Sequence, residues 1–155
     1  MRGTVLSIVA ITLFVAVGTL LGGAGKDTGA EVLKKIQGKW QFITHEMKGK
    51  EATPEELKKM TITFKGDKWA VREGDKVIQA GTHKFDPTKK PGHLDALVTE
   101  GEDKGNKMLG IYEFKGDKMR VCFDLKGKER PKSFKAGEGQ LSATVERVKK
   151  KSKPE

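Results

Sequence analysis

LGIYEFKGDKMRVCFD, Leu109–Asp124, alternates apolar and polar residues on either side of Gly116-Asp117, a dipeptide suited to a tight hairpin turn. Pairing the two arms across that turn sets Tyr112 against Val121, Glu113 against Arg120, Phe114 against Met119 and Lys115 against Lys118. One face then carries Tyr112, Phe114, Met119, Val121 and Phe123, while the other carries the Glu113–Arg120 pair and Cys122. This is the pattern of half-buried antiparallel sheet. Fifty residues earlier, Thr61–Val71 (TITFKGDKWAV) repeats the FKGDK device and would bury Ile62, Phe64, Trp69 and Val71.

Outward from these hairpins, strand follows strand. Expected strands cover 61–64, 68–72, 77–85, 93–99, 108–114, 118–124 and 141–148, with Gly66-Asp67, Gly74-Asp75 and Gly116-Asp117 as tight turns. An earlier strand places Trp40, Phe42 and Thr44 on one face and Gln41, Ile43 and His45 on the other. Two short helices are expected: one before Gly38, with Val32, Leu33 and Ile36 on its apolar side, and one from Thr53 to about Met60. The second has an N-cap threonine, Pro54 at its first position and acids in its first turn. Eight short antiparallel strands must remove their edges by closing or by stacking, and a nearly unbroken meander favours a barrel. The expected fold is therefore all-β, an eight-stranded antiparallel meander barrel with two short helices.

Composition narrows the function classes. The chain has 155 residues, enough for one domain, and a formal charge of +10. Its 31 lysines and arginines are interleaved with 21 acids, except in the block Lys149–Lys153. Neither the two tryptophans nor the one tyrosine is interleaved with a basic cluster, so they supply no stacking platform for bases and nucleic acid is not an expected partner. Cys122 is the only cysteine, which excludes an internal disulfide and a thiolate metal site. It reads as a packed thiol rather than a nucleophile.

At the N-terminus, Met1-Arg2 precedes the largely apolar run Thr4–Leu21 and the small residues Gly22–Gly25, the pattern of an export signal. Residues 1–24 are expected to be a signal peptide, with a mature start near Gly25. Ser7, Thr12, Gly18 and Thr19 interrupt the run and favour cleavage; the alternative is an uncleaved membrane anchor. Residues 25–37 read as linker and short helix, 38–148 as the barrel, and 149–155 as a basic disordered tail. The expected location is the periplasm, the cell envelope or the medium, and the expected state is a monomer.

Gly38-Lys39-Trp40 at the start of the first strand is similar to the G-x-W signature of lipocalins. In that family the tryptophan packs across the closed end of the barrel, with an arginine from near the last strand over it. The resemblance assigns these barrel-closure roles to Gly38, Trp40 and Arg147. An inward Arg147 would need compensation from the Trp40 ring and from backbone carbonyls. Over Leu33 to Val148 the chain also resembles the small exported lipocalin-like domains abundant in planctomycete bacteria, a family of uncharacterised function. That likeness is carried by Gln37–Trp40, Glu55–Leu57, Thr63–Lys68, Gly81-Thr82, Asp86–Pro91, Leu109–Glu113 and Lys128–Pro131. It implies an exported β-barrel and no known reaction.

No nucleophile elbow, phosphate loop or metalloprotease signature is present. His45, His83 and His93 form no metal-ligand spacing, and His83 is expected on the outer surface. The Lys128–Pro131 loop reads as an ion-paired corner, with a recognition surface as its alternative. No enzyme, cofactor or metal is expected. At eight strands, the interior is either a filled core or a small pocket. In the pocket reading the chain binds a small apolar or amphipathic ligand, contacted by Phe64, Trp69, Tyr112 and Met119, which flank hairpin turns and so are expected near the mouth. In the filled reading, the basic surface engages an envelope protein or a polyanion.

Overall fold

The computed structural model describes residues 28–149; residues 1–27 and 150–155, and with them the expected signal segment and most of the basic tail, lie outside the described residues. In chain order the elements are α1 (Gly29–Ile36), β1 (Gly38–Met47), β2 (Lys50–Glu51), α2 (Pro54–Lys59), β3 (Met60–Lys65), β4 (Lys68–Glu73), β5 (Lys76–Asp86), β6 (Gly92–Gly101), β7 (Lys107–Lys115), β8 (Lys118–Asp124) and β9 (Gln140–Arg147). Both helices begin with a capping box, Thr28 with Glu31 and Thr53 with Glu56.

Strands β3 to β9 follow one another as an antiparallel meander, and β1 pairs with β3 on one side and β9 on the other. The ring is therefore a closed eight-stranded barrel, with β2 added as a two-residue strand on the far end of β1. Closure satisfies the ladder groups that an open edge would leave unpaired. The β7–β8 hairpin has the expected register, from Tyr112 opposite Val121 to Lys115 opposite Lys118. Gly66, Gly74 and Gly116 take φ of 61°, 60° and 59°, which suits glycine at the first central position of a type II′ turn.

The first strand departs from strict alternation. Its register with β9 shifts between Phe42 and Thr44, so Ile43 is the extra residue of a β-bulge. Beyond it the parity reverses. Thr44 turns outward, where its hydroxyl accepts from the Thr144 N–H at 3.0 Å, and His45 and Met47 turn into the barrel. The expected placement of Thr44 inside and His45 outside is corrected by that one inserted residue.

Three inward aromatics lie across from glycines: Trp69 opposite Gly81, Tyr112 opposite Gly92, and Phe123 opposite Gly110. A Cβ on Gly92 would stand 2.4 Å from the Tyr112 ring, and one on Gly110 would stand 2.5 Å from the Phe123 ring. Each ring covers bare backbone and lets the sheet coil tightly enough to close.

The segment between β8 and β9 folds back over the outer face. Arg130 donates to the Gly110 carbonyl and to Asp95, both at 2.6 Å, while the Asp124 carboxylate accepts from the Lys128 and Glu129 N–H groups. This is the expected ion-paired corner. Phe134 lies under the Arg120 guanidinium at 4.3 Å, and Arg120 also pairs with Glu113. Under this cover the outward-facing Ile111 and Cys122 are buried. Burial, and then the charge of Glu46, pushes the Cys122 thiol pKa up, the opposite of an activated nucleophile.

Candidate functional site

The two ends of the barrel are built differently. One end collects the start of β1, the Gly66 and Gly116 turns and the end of β9, and α1 seals it. Val32 and Ile36 point into the barrel, and the Trp40 ring N–H donates to the Ile36 carbonyl at 2.7 Å. Arg147 lies over the Trp40 ring at 4.4 Å and donates to the Gln37 carbonyl at 2.8 Å and to the Lys35 carbonyl. This is the stacked, carbonyl-capped arginine that the sequence reading describes. Gly38 enters the strand with φ of 109°, a conformation that disfavours other residues. The Gln37 side chain exchanges hydrogen bonds with the Gly66 backbone and ties the helix end to the β3–β4 turn.

Behind this plug the rings of Phe85, Tyr112, Phe114 and Trp40 are in successive contact, with centroid distances of 4.8, 5.6 and 6.5 Å. That half of the barrel is solid.

The other half is hollow. A cavity of about 310 Å³ runs from Phe64, Trp69 and Met119 toward Met47, Met60, Ile78 and Leu125 at the opposite strand ends. The reason lies in side-chain size. At mid-height the inward positions include Ala96 and Ala143, which leave volume that leucine or phenylalanine would fill. The filled-core and pocket alternatives are thus both realised, one in each half.

Of the four expected contacts, Phe64, Trp69 and Met119 line the cavity and Tyr112 does not. Tyr112 belongs to the solid half, against Phe85 and Phe114. The three lining residues form the floor rather than the mouth, because the turns they flank lie at the sealed end. The mouth lies among the Gly74 turn, the loop from Gly101 to Asn106 and the β8–β9 segment. Sequence reasoning missed the β6 contributions Leu94 and Ala96, whose alternation was legible, and the inward turn of His45 and His83.

His83, expected outside, faces inward between Phe64 and Phe85, with ring centroids at 5.4 and 5.1 Å. Neither ring nitrogen has a partner in hydrogen-bond geometry. Burial holds its pKa below the usual histidine value, against the pull of Asp67 and the Gly66 backbone. His45, nearer the mouth, is also lowered by burial, against the opposing charge of Glu56. Both imidazoles are therefore neutral at pH 7, whereas unfolded histidines titrate near 6.5. Below about pH 6.5 the unfolded chain binds more protons than the folded one, so stability falls as pH drops toward the lowered folded values. Replacing both by phenylalanine should flatten the urea midpoint between about pH 7 and 5 relative to wild type. A wild-type midpoint already flat over that range would contradict the assignment.

Among the described residues no group of three or more histidine, cysteine or acidic side chains converges as a metal site. No protein-family model, curated protein or solved structure matches the chain.

Proposed function

We propose that this chain is an exported, non-catalytic binding protein that holds a small apolar or amphipathic molecule in the open half of its barrel. The observation that carries this is the apolar cavity of about 310 Å³ behind a closed end filled by aromatic rings. Its size lies at the lower end of the range for small-molecule sites, ~300–1,000 Å³. At ~30 Å³ per water-sized group, it accommodates about ten non-hydrogen atoms. Cys122, the sole thiol, faces away from the cavity under the outer loop, and export is supported by the signal-like pattern of residues 1–24.

Ala96→Phe tests the reading, because its ring projects into the void from the barrel wall. Octan-1-ol affinity, followed by Trp69 fluorescence, should fall more than tenfold, which corresponds to about 1.4 kcal/mol. Stability should stay within about 1.5 kcal/mol of wild type, since the new ring occupies empty space. Failure of the wild type to bind octanol, or undiminished binding by the variant, would remove the cavity from consideration. Native mass spectrometry of the protein purified from its own host would then show whether a natural ligand co-purifies.

A further inference from the structure

We infer that the head group of the bound amphiphile is a cation, an alkylammonium, and not a carboxylate or phosphate. This rests on the cavity being the binding site, and it comes from how charge is distributed around that cavity. The chain carries +10 overall, yet the cavity wall contains Glu102 and Asp103 and, among the described residues, no lysine or arginine. A smaller cleft continues outward from the mouth, sharing His45, Met47, Met60 and Ile78. Its charged residues are Glu51, Glu56 and Glu73 against one cation, Lys50. In a molecule with a large lysine excess, the charged side chains that line this apolar chamber are acids.

The acids are held there by the loop between β6 and β7. Gly101 and Gly105 have φ of 100° and 94°, and a Cβ on Gly101 would lie 2.5 Å from the Ile78 carbonyl oxygen. The loop is pinned by the Gly105 N–H to the Val98 carbonyl at 2.8 Å and the Asn106 N–H to the Asp103 carbonyl at 3.0 Å. Asp103 is half-buried and accepts from the Gln79 side chain at 3.4 Å. Neither Glu102 nor Asp103 has an ion-pair partner among the described residues.

The recognition chemistry follows. An ammonium offers three donors and needs acceptors around it. The mouth supplies the Asp103 and Glu102 carboxylates, the free Gln79 carbonyl oxygen and a neutral His45 nitrogen, while the floor from Phe64 to Met119 takes the alkyl chain. A carboxylate or phosphate head would meet two like charges and no positively charged side chain of the wall. The overall positive charge of the protein favours anions at long range, so a preference for amines must come from the site itself.

Octylamine, octan-1-ol and octanoate share one chain length and differ in head charge. Titrated into the full-length protein at pH 7.5 and low salt, octylamine should bind at least tenfold more tightly than octanoate, with octanol between them. The double variant Glu102→Gln/Asp103→Asn should narrow that gap to about threefold or less. Octanoate binding as tightly as octylamine overturns the head-group inference and leaves the cavity reading standing. An amine preference that survives in the double variant overturns the role of the two acids. Binding of none of the three ligands overturns the cavity reading itself.

Discussion

Trp40→Ala should lower the unfolding free energy by about 3–5 kcal/mol, the range for truncating a large buried aromatic. Trp40 is 1% exposed and joins three parts of the closed end at once. Its ring packs near Phe114, its N–H satisfies the Ile36 carbonyl at the end of α1, and its face receives the Arg147 guanidinium. Removing it leaves a cavity, an unpaired carbonyl and an arginine stripped of its stacking surface. Trp40→Phe separates these effects, since it keeps much of the packing and loses the N–H donor. Its expected cost is about 1–3 kcal/mol, the penalty for an unsatisfied buried acceptor. Urea denaturation gives both values, and the phenylalanine variant remains informative if the alanine variant does not fold. A loss below about 1 kcal/mol for Trp40→Ala would mean that α1 and Trp40 are not an integral part of the core.

Gly81→Ala should cost about 3 kcal/mol, the upper end for overpacking by one methyl group. The new Cβ would fall 1.9 Å from the Leu97 carbonyl oxygen and 2.9 Å from the Trp69 ring. The ring can move; the carbonyl belongs to the neighbouring strand and cannot rotate away. Adding Trp69→Leu should therefore recover little. Gly92→Ala provides the contrast, because there the three closest atoms all belong to the Tyr112 side chain. Its cost should be lower, and Tyr112→Leu should return a larger share of it. Equal recovery in the two double variants, read as urea midpoints, would show that the Gly81 backbone approach is not rigid.

These effects are rooted in features of very different legibility. The FKGDK turns and the alternation around them specify register directly, because a hairpin fixes which residues face each other and a one-residue slip would expose the whole apolar face. That is why the pairing of Tyr112 with Val121 and of Phe114 with Met119 was readable before any coordinates. The N-cap at Thr53 was readable for the same reason: the Thr53 side chain accepts from the Glu56 N–H, three residues on. The β-bulge at Ile43 was not. Nothing local distinguishes Ile43 from a regular strand residue, and the bulge lies where β1 fits between β3 and β9, which begin at Met60 and Gln140. His45 went to the wrong face as a consequence. His83 was misplaced because an imidazole can be inside or outside, and only its contacts with Phe64 and Phe85 decide.

The candidate site shows the same division. Phe64, Trp69 and Met119 were identifiable as inward residues from alternation alone, but their depth was inverted. Turn residues mark an end of the barrel; which end is sealed depends on where α1 and the Trp40–Arg147 pair come to rest. Tyr112 was drawn into the pocket by that inversion and belongs to the solid half.

By itself, the sequence determined an all-β chain, its strand succession, the central hairpin register and the inward identity of most aromatics. These are properties of short periodicities and of turn chemistry, carried by residues close together in the chain. Only the tertiary structure decided that the barrel is filled with aromatic rings in one half and hollow in the other, that two neutral imidazoles face the hollow, and that the charged side chains lining it, Glu102 and Asp103, are acids in a basic protein. Those features depend on the sum of side-chain volumes and charges brought together across the whole ring of strands, and no local stretch of sequence records such a sum.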